Sequence, residues 1–214
     1  MTHQHKFNYM KILTHIGHGE KVLFMRIFLT VLILIFYFQS WTKAEDINNF
    51  EIEGMFIGDS LLNYMSINEI KNDLKEQINW PHTDKKFQRV EKYEGNFKNY
   101  EYVASIIKLD DPEYKIYGLS GMLDINDPDQ CNSLKQEIVS SLKSIFKNAK
   151  IYNWENTLRQ DPSGKSMAVG VEFYLPNGSA SVVCYNFTEE SNIQSGLDVS
   201  ISNKEFDDWL LSFN

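Results

Sequence analysis

The sequence predicts an α+β fold: one antiparallel sheet of about five strands, with a long central helix and terminal helices packed on one face. Two β-rich runs, Met167 to Leu175 and Ser179 to Phe187, flank Pro176-Asn177-Gly178, a strong hairpin signal. Leu134, Ile138, Leu142, Ile145 and Phe146 make a single apolar stripe at helical spacing. Strands follow one another across short turns instead of alternating with helices, which implies antiparallel pairing.

The elements follow in order. Asp59 or Ser60 can cap a short helical segment through Leu61, Leu62 and Met65. Ser66 stands three before Glu69, a capping box ahead of Ile70, Leu74 and Ile78, and Trp80-Pro81 ends that helix. Residues 82–98 are polar and carry no clear period. Tyr100 to Leu109 reads as a strand closed by Asp110-Asp111-Pro112, and Tyr114 to Ile125 as a second whose glycines suggest close packing or a bulge. Asp127-Pro128 is an N-cap followed by proline at the first position of the long helix, which ends near Asn148. After the hairpin, Gly196 to Ser202 is a last strand. Ser202 or Asn203 then caps a terminal helix with Phe206, Trp209, Leu210 and Phe213.

The N-terminal segment carries a targeting pattern. Lys21 and Arg26 precede Ile27 to Phe38, apolar except for Thr30, and Thr42-Lys43-Ala44 follows. This reads as a signal peptide over residues 25–44 cleaved between Ala44 and Glu45, leaving one domain over residues 45–214. A membrane span needs roughly 20 apolar residues, so an uncleaved inner-membrane anchor facing the periplasm is the alternative. Residues 1–24 hold His3, His5, His15 and His18 but read as an extension ahead of the true start at Met25.

Removal of residues 1–44 leaves 16 basic against 28 acidic residues, a formal charge of −12. Such acidity argues against nucleic acid, whose binding rests on lysine and arginine. Cys131 and Cys184, in an exported chain, most simply form one disulfide; two buried free thiols are the other option.

Several segments imitate chemical motifs. Gly58-Asp59-Ser60-Leu61 resembles the nucleophile block of GDSL hydrolases, which implies Ser60 as a nucleophile. That family's base lies in a downstream Asp-x-x-His block, and no histidine follows His82 here. Ser60 therefore reads as a helix cap. Asp161-Pro-Ser-Gly-Lys-Ser166 imitates the end of a P-loop, but Arg159 stands where the first glycine belongs. Asp124, Asn126, Asp127 and Asp129 suggest calcium, yet the sixth and twelfth positions of an EF-hand loop would be Asp129 and Lys135. No catalytic, metal or cofactor set is assembled. Asn177 and Asn186 begin glycosylation sequons, meaningful only in a eukaryotic secretory route.

The segments FEIEGMFIGDSLLNYMSINEI, IYGLSG, EIVSSLKSIFKNAKIYNW, DPSGKS and VSISNKEFDDW together resemble an uncharacterised family of small exported proteins of marine alphaproteobacteria. That resemblance implies export and cysteines matching Cys131 and Cys184, which favours the disulfide. It implies no catalytic residue. The sequence thus reads as a non-enzymatic periplasmic binding or interaction module, whose partner is an envelope protein, a wall component or a small ligand; a serine hydrolase using Ser60 is the alternative.

Overall fold

The computed structural model describes residues 46–76, 86–93 and 95–213. A short hairpin, β1 (Glu51–Ile52) and β2 (Met55–Phe56), leads through a 3-10 turn at Leu61–Asn63 into helix α1 (Ile67–Glu76). Strands β3 (Phe87–Lys92), β4 (Tyr102–Lys108) and β5 (Ile116–Asp124) form a meander. Helix α2 (Pro128–Ile145) crosses to the far edge, where β6 (Lys150–Thr157), β7 (Met167–Leu175), β8 (Gly178–Asn186) and β9 (Gly196–Asn203) return to the centre. Helix α3 (Lys204–Leu211) ends the described chain. All seven long strands are antiparallel, in the order β3-β4-β5-β9-β8-β7-β6, so β9 joins the two meanders by pairing with β5.

Local chemistry marks each helix start. Ser66 and Glu69 exchange backbone and side-chain bonds in the expected capping box, at 2.6 and 3.3 Å. Asp127 accepts the Asp129 amide at 2.9 Å with Pro128 opening α2, and Asn203 accepts the Phe206 amide at 3.0 Å.

Alternation along the strands separates two faces. One face carries Val103, Leu119, Phe173, Val182, Leu197, Val199 and Ile201, packed against Val139, Leu142 and Phe146 of α2 and against Ile47, Ile52, Met55 and Ile70 from the N-terminal elements. The other face carries Phe87 and Ile106 under Phe206 and Trp209 of α3, with Phe87 edge-on to both rings. The disulfide Cys131–Cys184 ties the first turn of α2 to β8.

The α+β class and antiparallel pairing stand, with three corrections. The sheet has seven strands instead of about five, because the edge strands β3 and β6 lie in segments without apolar alternation. Helix α3 packs on the face opposite α2, not beside it, since Ile106 and Phe87 give that end of the sheet a second apolar surface. The long helix lies over β8, off centre. The expected continuation of α1 to Ile78, the Trp80-Pro81 stop, His82 and the signal segment with its Ala44–Glu45 junction lie outside the described residues.

The disulfide spans 53 residues of sequence, and loop-closure entropy assigns such a link about 4 kcal/mol. Denatured, unreduced protein is expected to show no titratable thiol. The Cys131→Ala/Cys184→Ala double variant should lose roughly 3–4 kcal/mol in a urea melt.

Candidate functional site

The motif residues are placed first. Gly58 takes φ +92°, a left-handed conformation that favours glycine, and turns the chain into the Ser60 cap. Ser60 Oγ donates to the Glu113 carbonyl at 2.6 Å and accepts from the Leu62 amide at 3.3 Å. Asp59 accepts the Phe56 amide and the Tyr64 hydroxyl at 3.2 and 2.5 Å. These bonds fasten the segment to the β4–β5 loop and make Ser60 an N-cap.

The loop resembling a P-loop end is a polar knot. Buried Asp161 accepts the Ser163 amide and the hydroxyls of Ser163, Ser166 and Thr188 at 2.8, 2.7, 2.6 and 2.9 Å. The hydroxyls of Ser163 and Ser166 lead in holding this carboxyl well below its usual range. Met167–Leu175 follows as a strand, so no helix N-terminus faces the loop. Asp127 is occupied as the α2 cap, and among the described residues no three metal-ligating side chains converge.

Polar chemistry instead gathers on the sheet face opposite α2, where α3 is the helix that packs among the described residues. In register, one row reads Tyr102, Met122, Asp198, Val183, Gly170 and Trp154, from β4 to β6. The next row reads Glu91, Ala104, Ser120, Ser200, Ser181, Glu172 and Tyr152. Serine hydroxyls bond across the strands, Ser181 with Ser200 at 2.7 Å and Ser179 with Ser202 at 3.0 Å. Asp207 of α3 accepts from Ser179 and Ser202 and closes that end. Arg89 pairs with Glu91 at 2.7 Å, and Tyr93 stacks on Tyr102 at 4.9 Å.

Asp198 stands at the centre of this face. It is 8 % exposed, and its Oδ1 has no hydrogen-bond partner. Burial raises its carboxyl to about 6, against the pull of Arg89 and the Ser120 hydroxyl. Burial also lifts the Tyr185 phenol, with Asp198 adding to it. Trp154 lies flat on Gly170, where a Cβ would come within 2.5 Å of the ring, and its Nε1 is likewise unpartnered. The arrangement offers a buried acceptor and an indole donor among aromatic walls.

No protein-family model matches the chain, and neither a curated protein nor a solved structure matches it. The site rests on geometry alone. The strand LDVSI was legible, but Asp198 within it reads as one polar residue of an alternating strand; the only sequence signal was an acid inside a run otherwise polar through serine.

Two outcomes follow. Ser60→Ala should cost about 1 kcal/mol of stability, as loss of a cap does. An Asp carboxyl raised from 3.8 to about 6 keeps its proton in the fold at pH values where the unfolded chain has released it. Wild type therefore loses stability as pH rises through that window, by up to about 3 kcal/mol. Asp161 acts in the opposite sense, with stability lost as pH falls. Asp198→Asn should flatten the pH 4–7 part of the stability curve, measured by urea melts, and be the more stable protein at about pH 8.

Proposed function

We propose that this chain is an exported envelope protein, released after Ala44, that binds an amine-bearing ligand on the open face of its sheet. The observation that carries the reading is the buried Oδ1 of Asp198, which has no hydrogen-bond partner and lies close enough to Tyr102 and Tyr185 for its charge to act on both phenols. A buried carboxylate oxygen without a hydrogen bond is costly, and the Ser120 hydroxyl and the Arg89 charge answer only part of that cost. Arg89 is engaged by Glu91, so Asp198 and Glu172 leave the face negative. An ammonium group would satisfy Asp198 by a charge-assisted hydrogen bond and rest against the aromatic rings. Because Oδ1 is covered in the free fold, binding requires the side chains above it to swing aside, with Arg89 the longest of those close enough to act on its charge. Export is supported by the N-terminal pattern and by the disulfide. No helix among the described residues is long and apolar enough to cross a membrane.

Spermidine and putrescine serve as probes in thermal melts and calorimetric titration at low salt. Wild type should show saturable stabilisation, and Asp198→Asn should lose it while keeping its far-UV spectrum. Binding retained in that variant would move the site elsewhere, and no stabilisation by any amine would remove the reading. Mass spectrometry of the protein recovered from its host should give an N-terminus at Glu45.

A further inference from the structure

The two edges of the sheet are built differently. At β3, helix α1 lies alongside and Asp73 Oδ2 accepts the Glu91 amide at 3.0 Å, so a helix side chain takes a backbone donor of the edge strand. Arg89, Glu91 and Lys92 add charge to that strand. These are ordinary ways to stop a strand edge from pairing with another chain. At β6, among the described residues, no helix lies alongside and no side chain takes a backbone donor of the strand, whose charges are one lysine and one glutamate. The strand pairs with β7 without a bulge from Lys150 to Thr157, contains no proline, and leaves every side chain except Trp154 exposed. Ile151 and Tyr152 are 39 % and 59 % exposed, and Tyr152 to Asn156 line a shallow dimple with Glu172.

We propose that β6 pairs antiparallel with β6 of a second copy of this chain, joining two seven-stranded sheets into one. A two-fold axis normal to the sheet keeps like faces on the same side, so a residue must oppose one of its own face. Of the registers this allows, the one in which Asn153 opposes its own copy pairs the strand from Lys150 to Asn156. Tyr152 then opposes Trp154 twice, an aromatic cross-strand pair on the face already walled by rings. Ile151 opposes Glu155 and Lys150 opposes Asn156, so no like charges meet. One lysine and one glutamate make β6 electrically balanced in a domain of charge −12, which is where two such acidic molecules repel least. A single paired strand is well below the roughly 800 Å² per partner of a standard interface, which places the dimer in the micromolar range.

Sedimentation velocity of the chain from Thr42 onward, which forms a compact unit of its own, tests this over a roughly hundredfold concentration range around micromolar. Wild type is expected to shift from monomer to dimer. Ile151→Glu sets a carboxylate against Glu155 of the second copy and should weaken the dimer by roughly tenfold, whereas Ile151→Lys should preserve or tighten it. Tyr152→Lys should weaken it to a similar degree with the melting temperature unchanged. Hydrogen exchange should show β6 amides protected only in the dimer. A monomer at every concentration overturns the proposal. So does a dimer indifferent to all three substitutions, which would use another surface. A monomer whose β6 amides become protected only on adding envelope extract overturns self-pairing in favour of a foreign strand.

Discussion

The pairing of β9 with β5 is the joint on which the molecule depends. Without it, β3-β4-β5 and β6-β7-β8-β9 are two separate meanders. Its register runs unbroken from Gly118 opposite Ser202 to Asp124 opposite Gly196. A slip of one residue would carry Leu197, Val199 and Ile201 to the polar face and Asp198 into the core. Two features hold the start of β9 in place. Gly196 lets the strand approach β5 so closely that a Cβ would sit 2.4 Å from the Leu123 carbonyl oxygen. Cys184 lies opposite the neighbouring Leu197, so the disulfide anchors α2 at the same joint.

Legibility followed burial. The hairpin of β7 and β8, the long helix and β9 each bury one face, and their apolar periods were visible in the sequence. Strands β3 and β6 bury little, so nothing in Phe87–Lys92 or Lys150–Thr157 imposes a two-residue period. The placement of α3 was written in β4, whose five central residues, Val103 to Ile107, are all buried. A strand apolar on consecutive positions requires cover on both faces. The candidate site was not legible, because what distinguishes Asp198 from any other polar residue of an alternating strand is its burial with one oxygen lacking a hydrogen bond. That property belongs to the packed structure.

Two buried aspartates show what the fold can do when it needs a carboxylate. Asp161 collects four hydrogen bonds from its own loop and from Thr188, and is held ionised. Asp198 has the Ser120 hydroxyl and the Arg89 charge, yet Ser181 and Ser200 bond to each other and its Oδ1 is left without a hydrogen bond. Hydroxyl donors are thus at hand on this face. A carboxylate oxygen left unsatisfied beside them is a local conflict, of the kind that concentrates where a protein binds something.

The position of that conflict within the sheet matters as much as its chemistry. Asp198 and Trp154 carry unpartnered buried atoms of opposite kind, an acceptor and a donor, and they lie on one row of the sheet with only Val183 and Gly170 between them. Gly170 is what lets the indole lie flat there, so the row stays low from the central strand to the uncovered edge. On the opposite side of the sheet the same strands are sealed by α2 and locked by a disulfide. Unsatisfied polarity is therefore concentrated on the face away from α2. A scaffold divided in this way holds the row from Asp198 to Trp154 in fixed register against the sealed face.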